Sequence, residues 1–237
     1  MPAGQMPRPV CEYENLSSIL EARSMAADAW AYEKDLRAKG FARIAGVDEA
    51  GRGPLAGPVV SAAVILPPAF DPEGINDSKQ LTMRQRERMY EKIYAGADAI
   101  GIGIVDACEI DRINILQASL LSMAMAVANL QPAPGYLLID GTFPIQADIP
   151  QQPIPKGDAL CISISAASIV AKVTRDRFMK RYHEDYPQFG FDCHKGYGTA
   201  AHREAIASFG PCAIHRRSFK GVCEYLAGRL EKAGVDG

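Results

Sequence analysis

Two apolar runs joined by a short glycine-rich link constrain this chain most. Residues 41–48 read FARIAGVD and residues 58–66 read PVVSAAVIL, and both read as strands. The link between them holds Gly51, Gly53 and Gly57, and its shortness predicts an antiparallel hairpin. The first run ends on adjacent acids, Asp48 and Glu49. A carboxylate beside an apolar strand is costly to bury unless something pairs with it. Neighbouring residues of a regular strand also point to opposite faces. Both acids can serve one site only where the strand ends or bends, and Gly51 and Gly53 supply such a bend.

Beyond the hairpin the pattern alternates. Residues 12–39 lack proline and glycine and are rich in alanine, which predicts one or two helices. Pro67 and Pro68 close the second strand, and the loop DPEGINDSKQ follows. Thr82 and Gln85 form a capping box for a helix reaching about Tyr94. A third strand is expected over 99–107, an apolar helix over 115–130 and a short buried strand over 135–140. Residues 141–158 read as a proline-rich crossing. A strong helix is expected over 165–184, with Ala166, Ile169, Val170 and Val173 on one face and Lys172, Arg175 and Asp176 on the other. The segment 187–198 reads as a loop, 199–209 as a helix, HRRSFKG as a basic turn and 221–232 as a last helix. Strands followed by strand–helix alternation predict an α/β or mixed layered fold.

Composition narrows the function classes. The chain has 237 residues and 48% apolar content, enough for one large soluble domain or a domain with an extension. It contains no run of about 18 apolar residues and no apolar signal core, so no membrane span is expected. Six cysteines without a C-x-x-C pair read as buried free thiols in a reducing, cytoplasmic setting. The net charge of −2 conceals an uneven distribution. Residues 48–171 carry 8 Lys/Arg against 14 Asp/Glu, whereas residues 172–232 carry 12 against 7. An acidic centre beside a basic C-terminal region suits a metal site next to a polyanion track.

Two further acids extend the pattern. Asp140 ends the strand GYLLID, and Asp158 follows 18 residues later, across the proline-rich crossing. Taken alone, Asp140–Gly141 is an ordinary turn and Gly157–Asp158 a turn or cap. Brought to one sheet edge, the four carboxylates would repel one another, and a divalent cation would relieve that. Oxygen-only ligands favour Mg²⁺ or Mn²⁺, and a pair about 3.5–4 Å apart can cleave a phosphodiester. The Gly51–Arg52–Gly53 stretch is either a tight connection or a place where bare backbone approaches a sugar hydroxyl while Arg52 meets a phosphate. Asp176, flanked by Arg175 and Arg177, reads as helix-surface charge. Arg175, Arg177, Lys180 and Arg181 are either a solvated face or a phosphate track, and His194 and His202 either hold phosphates or cap local structure.

The assembled pattern resembles ribonuclease HII. The matching stretches are GVDEAGRGPLAGPVVSAAVIL, NDSKQL, LLIDG, KGD, SAASIVAKVTRDR and HKGYGT, in family order over about residues 43–202. The resemblance implies a ribonuclease H-like core over 41–184, with a mixed five-stranded sheet flanked by helices. Residues 1–40 would be an N-terminal helical extension, and 185–237 a C-terminal helical part that helps bind substrate. It implies a monomer that cleaves the RNA strand of RNA–DNA hybrids and incises 5′ of single ribonucleotides in duplex DNA, leaving 3′-hydroxyl and 5′-phosphate ends. Asp48, Glu49 and Asp140 would be the main ligands of two Mn²⁺ or Mg²⁺ ions, and Asp158 would complete the second site. Gly51, Arg52 and Gly53 would contact the ribose 2′-OH, Tyr197 would pack on the sugar, and Lys79 would face the phosphate backbone. A repair-clamp partner occurs for such enzymes, and nothing in the sequence supports one here. The related ribonuclease HIII carries a lysine in the glycine loop and a larger N-terminal domain, so Arg52 and the short N-terminal stretch favour HII.

Overall fold

A computed structural model describes residues 28–75 and 81–228. The element order is α1 (Ala31–Ala38), β1 (Ile44–Ala50), β2 (Val59–Ile65), α2 (Met83–Gly96), β3 (Ala99–Val105), α3 (Ala107–Ile113) and α4 (Ile115–Ala128). Then come β4 (Tyr136–Asp140), β5 (Gln151–Ile154), α5 (Ile162–Asp185), α6 (Phe191–His194) and α7 (Ala200–Phe209). Residues 223–228 are helical again. The strands form one mixed sheet in the order β3-β2-β1-β4-β5. β1 pairs antiparallel with β2 and β2 with β3, whereas β4 lies parallel to β1 and β5 parallel to β4. The expected hairpin and the mixed five-stranded sheet are therefore both present.

β2 is an interior strand between β3 and β1, and every one of its residues is buried. Its alternate side chains feed two cores. Ala62 and Val64 pack with Ile162, Ala166, Ile169, Val170 and Val173 of α5, while Ala63 and Ile65 pack with Met123, Ala126 and Val127 of α4. Burying each Val or Ile side chain contributes roughly 1.5–3 kcal/mol. Gly46 lets α5 approach closely, since a Cβ there would lie 2.1 Å from the carbonyl carbon of Ser163. A third cluster packs the C-terminal part onto the glycine-rich link through Leu55, Ala56, Met179, Phe191, Ile206 and Val222.

α1 also joins the core, because Leu36 packs with Ile44, Leu138 and Ile164. Its Glu33 substitutes for a missing cap on α5. Cys161 at the N-cap position makes no side-chain cap bond. Instead one Glu33 oxygen accepts from Ser163 N at 3.0 Å, Ser163 Oγ at 2.7 Å and Cys161 Sγ at 3.0 Å. A buried carboxylate at a helix N-terminus is stabilised by the unpaired N–H groups there.

Several expectations need correction. The first strand runs through Asp48 and Glu49 to Ala50 rather than ending on the acids. β5 lies inside the expected crossing, and Pro153 is tolerated because β5 is an edge strand. α3 and α6 fall where the sequence offered only a strand end and a loop. Among the described cysteines only Cys161 is fully buried, while Cys108 and Cys193 are exposed and all are free. The expected helices over residues 12–27 lie outside the described residues.

Candidate active site

The acids meet where β4 stops beside the parallel β1. β4 pairs with β1 only as far as Ile139 opposite Val47. β4 then ends at Asp140, and β1 runs on past it along an edge that β4 no longer covers. Asp48 lies on the α5 side, where Ser168 hydrogen-bonds its carboxylate. Glu49 opens onto the α4 side, in a cleft of about 300 Å³ shared with Ser119, Leu120, Asp140 and Phe143. The alternation of the strand is thus kept, and the two side chains converge around its exposed edge. Oxygens of Asp48, Glu49 and Asp140 all lie within 4.8 Å of one another.

This arrangement is electrostatically tense. Burial pushes Asp48 well above the usual carboxylate range, and the charges of Glu49 and Asp140 push it further. Burial also raises Glu49, with Asp140 adding to the effect and the Arg52 guanidinium opposing it. Arg52 Nη1 lies 3.3 Å from Glu49 Oε1. Three convergent carboxylates with oxygen donors only are the donor set of a hard divalent cation, and such a charge would relieve both shifts. The residues therefore fit the expected metal. Asp158 stands just outside the trio: it is buried, and its N–H lies 3.4 Å from Asp140 Oδ1.

The glycine-rich link rises beside the acids and is held from beneath by two buried arginines. Arg216 donates to Gly51 O at 2.6 Å, Arg52 O at 2.9 Å and Gly57 O at 2.9 Å. Arg175 donates to Ala56 O at 3.1 Å, Pro58 O at 3.0 Å and Lys195 O at 3.0 Å. Both side chains are fully buried. Arg175 therefore does not lie on an open basic face as the helix pattern suggested, because the link folds over that face of α5. Burial and the Arg175 charge push Arg216 down to about 9, so it stays charged at neutral pH. Gly51 takes φ +102°, and a Cβ there would lie 2.1 Å from Arg175 Nε. Its freedom is spent on the arginine as much as on any ligand. No motif marked Arg216, although its place in the basic turn HRRSF hinted at a charge-rich contact.

Tyr197 stands beside the glycine-rich link. Its ring is 45% exposed and lines a cleft of about 360 Å³ with Glu49, Gly51, Arg86, Ser168 and Lys172. Lys172 Nζ is 5.8 Å from the ring centroid, and a Cβ on Gly53 would lie 3.9 Å from Tyr197 Cε1. Asp176 pairs with Lys172 at 2.7 Å, as a helix-surface charge does. Ser168 was missed by sequence reasoning, although a serine inside an otherwise apolar helix face was the available signal. Lys79 lies outside the described residues.

The comparisons agree with this geometry. The family described as Ribonuclease HII matches residues 45–222. A Ribonuclease HII of Geobacter sp. is 57% identical over 199 residues, spanning 84% of this chain and 86% of that protein. The crystal structure of ribonuclease H2 from Pyrococcus horikoshii is 29% identical with a TM-score of 0.65, covering 80% of this chain and 99% of that one. The RNase HII of Archaeoglobus fulgidus, solved in complex with PCNA, is 27% identical with a TM-score of 0.64 over 75% of this chain and 95% of that one. A hairpin carrying adjacent acids, a third acid on the parallel neighbour and a ribonuclease H-like sheet thus coincide with sequence identity over most of the chain, which belongs to the ribonuclease HII family, hydrolases of the RNA strand in RNA–DNA hybrids.

Proposed function

We propose that this enzyme incises duplex DNA on the 5′ side of single embedded ribonucleotides, as well as cutting longer hybrids, and leaves 3′-hydroxyl and 5′-phosphate ends. The observation that carries this reading is the convergence of three carboxylates beside a cleft that the glycine loop and Tyr197 share. Asp48, Glu49 and Asp140, with Asp158 completing the set, would hold two Mg²⁺ or Mn²⁺ ions, which supply charge neutralisation at the scissile phosphate and an activated water. Arg52 exchanges Glu49 for a substrate phosphate. Gly51, Arg52 and Gly53 offer backbone groups to the ribose 2′-OH, Tyr197 packs on the sugar, and Lys79 faces the phosphate backbone.

In this reading residues 41–184 are the catalytic core, residues 1–40 an extension and residues 185–237 a substrate-binding part that contributes Tyr197. The enzyme works as a monomer in the cytoplasm, in ribonucleotide removal during replication and repair. The PCNA complex is a property of the Archaeoglobus protein and assigns no clamp here. The test is cleavage of a duplex with one ribonucleotide in Mg²⁺ or Mn²⁺, with end analysis. Wild type should cut once, 5′ of the ribonucleotide, and Asp48→Asn should not. An uncut duplex with either metal, or equal cutting by both proteins, sinks the proposal.

A further inference from the structure

Three histidines form a chain behind Tyr197 and away from the carboxylates. His194 Nδ1 accepts from Gly196 N at 3.2 Å, and its Nε2 lies 2.7 Å from Phe189 O. His202 Nδ1 lies 2.9 Å from Tyr197 O, and its Nε2 lies 3.0 Å from His215 Nε2. His215 Nδ1 accepts from Cys212 N at 2.9 Å. The His194 and His202 rings stack with centroids 4.4 Å apart, and Phe191 meets His202 edge-on. His202 is fully buried and His215 nearly so. Neither His194 nor His202 is therefore turned outward toward a phosphate.

The partners fix the tautomers. A neutral imidazole has one donor and one acceptor. Backbone N–H groups occupy Nδ1 of His194 and of His215, so the proton of each sits on Nε2. His194 donates that proton to Phe189 O, and His215 donates its own to His202 Nε2. His202 must then carry its proton on Nδ1, where it donates to Tyr197 O. Cys212 Sγ also lies 3.1 Å from His215 Nδ1, so every ring nitrogen has a partner and no ring needs a second proton. A second proton on His202 would set two N–H groups against each other, which agrees with burial holding His202 and His215 down to about 4.

The turn this chain holds needs holding. Lys195 and Gly196 both take positive φ, at 53° and 84°. The Tyr197 ring is half exposed, so its aim is set by its backbone rather than by packing. Within the turn, Thr199 N also donates to Tyr197 O at 2.8 Å, Tyr197 N to His194 O at 2.9 Å and Lys195 N to Phe191 O at 3.0 Å. Leu55 N donates to Gly196 O at 2.8 Å and Arg175 Nη1 to Lys195 O at 3.0 Å, so the His202 ring is the side-chain donor on a carbonyl that one backbone N–H shares.

We propose that His202 is a positioning residue for ribonucleotide recognition: its Nδ1–H, oriented by His215, fixes the Tyr197 carbonyl and so aims the ring at the sugar beside the acids. This rests on the reading of Tyr197 as the residue that packs on that sugar. Two near-isosteres separate the roles of the ring nitrogens. In His202→Asn the amide N–H stands where Nδ1–H stood and still reaches Tyr197 O. In His202→Gln the amide reaches the His215 side and leaves Tyr197 O with the Thr199 N–H alone. Both variants are compared with wild type for melting temperature and for kcat and KM on a duplex with one ribonucleotide. His202→Gln should lose about 10- to 100-fold in kcat/KM, and His202→Asn should stay within about threefold of wild type. In a Tyr197→Ala background His202→Gln should cost little more.

Losses that track melting temperature in both variants, or a fully active and folded His202→Gln, overturn the proposal. A harmless Tyr197→Ala would instead defeat the reading of Tyr197. The ¹⁵N imidazole spectrum of the wild-type protein decides between the outcomes even where both variants fail to fold. His202 should be the Nδ1–H tautomer, and His194 and His215 the Nε2–H tautomer, at neutral pH. An Nε2–H or doubly protonated His202 refutes the chain.

Discussion

Asp48 sits where a carboxylate is least welcome: 5% exposed, on a core strand, and facing two more acids. Its burial costs stability, and its use in chemistry is what the proposed function predicts. Asp48→Asn removes both burial of charge and repulsion. The variant should lose at least about 100-fold in cleavage, yet the metal-free protein should melt a few degrees higher, as about 1 kcal/mol would give. Calorimetry without divalent ions, beside a gel assay with them, checks both halves. Arg216 is the opposite case. Arg216→Ala strips donors from three carbonyls, those of Gly51 and Gly57 in buried bonds, and should cost about 3 kcal/mol in urea unfolding. These two residues also show what a sequence reveals. Acids beside apolar strands violate burial rules and so announce themselves. Arginines that serve distant carbonyls violate nothing local, and helix periodicity assigned Arg175 to an open face because the covering link comes from about 120 residues earlier, as its bond to Ala56 O shows.

Among the elements, α5 reaches the site through Ser168 and Lys172 on little visible local support. Its cap comes from α1, which no local signal at Cys161 predicts. Glu33→Ala should lower unfolding free energy by about 1–3 kcal/mol, measured by denaturant titration, while leaving cleavage of the folded fraction unchanged. The α7–basic turn contact answers to pH. His202 and His215 titrate near 4 in the fold against an ordinary 6.5, chiefly through burial. As pH falls below about 6.5 the unfolded chain takes up protons first, so stability drops until about pH 4 and is flat above about pH 7. Between pH 7 and pH 5 the loss should be about 1–2 kcal/mol for each histidine, read from melting curves, with His202→Asn recovering part of it. Strands β1 to β4 were legible because their apolar runs are long and bounded. β5 was not, because four residues containing a proline carry no strand signal of their own.

At the scale of the whole molecule, the cations beside the acids come mostly from the acidic stretch 48–171, with Lys172 from the basic region. Arg86, Lys172 and Tyr197 border one cleft beside the acids, and Arg52 and Lys156 border the other. A polyanion crossing both would release counterions. Binding of a short hybrid should therefore weaken linearly in log–log plots against salt, and Lys172→Ala should make the slope shallower by about 1. Fluorescence anisotropy at several KCl concentrations, with Ca²⁺ in place of the catalytic ion, would measure it. An unchanged slope would remove Lys172 from the track.

The grip of Arg216 on Gly51 and Arg52 spans 165 and 164 positions of chain. Proteins are made from the N-terminus, so the ribosome finishes the three acids long before it reaches that guanidinium. A prematurely terminated product ending before residue 216 would hold every carboxylate of the trio but not the clasp that shapes the loop beside them. The acids and the clasp of the loop beside them are thus written far apart in the message, and the clasp is translated after them.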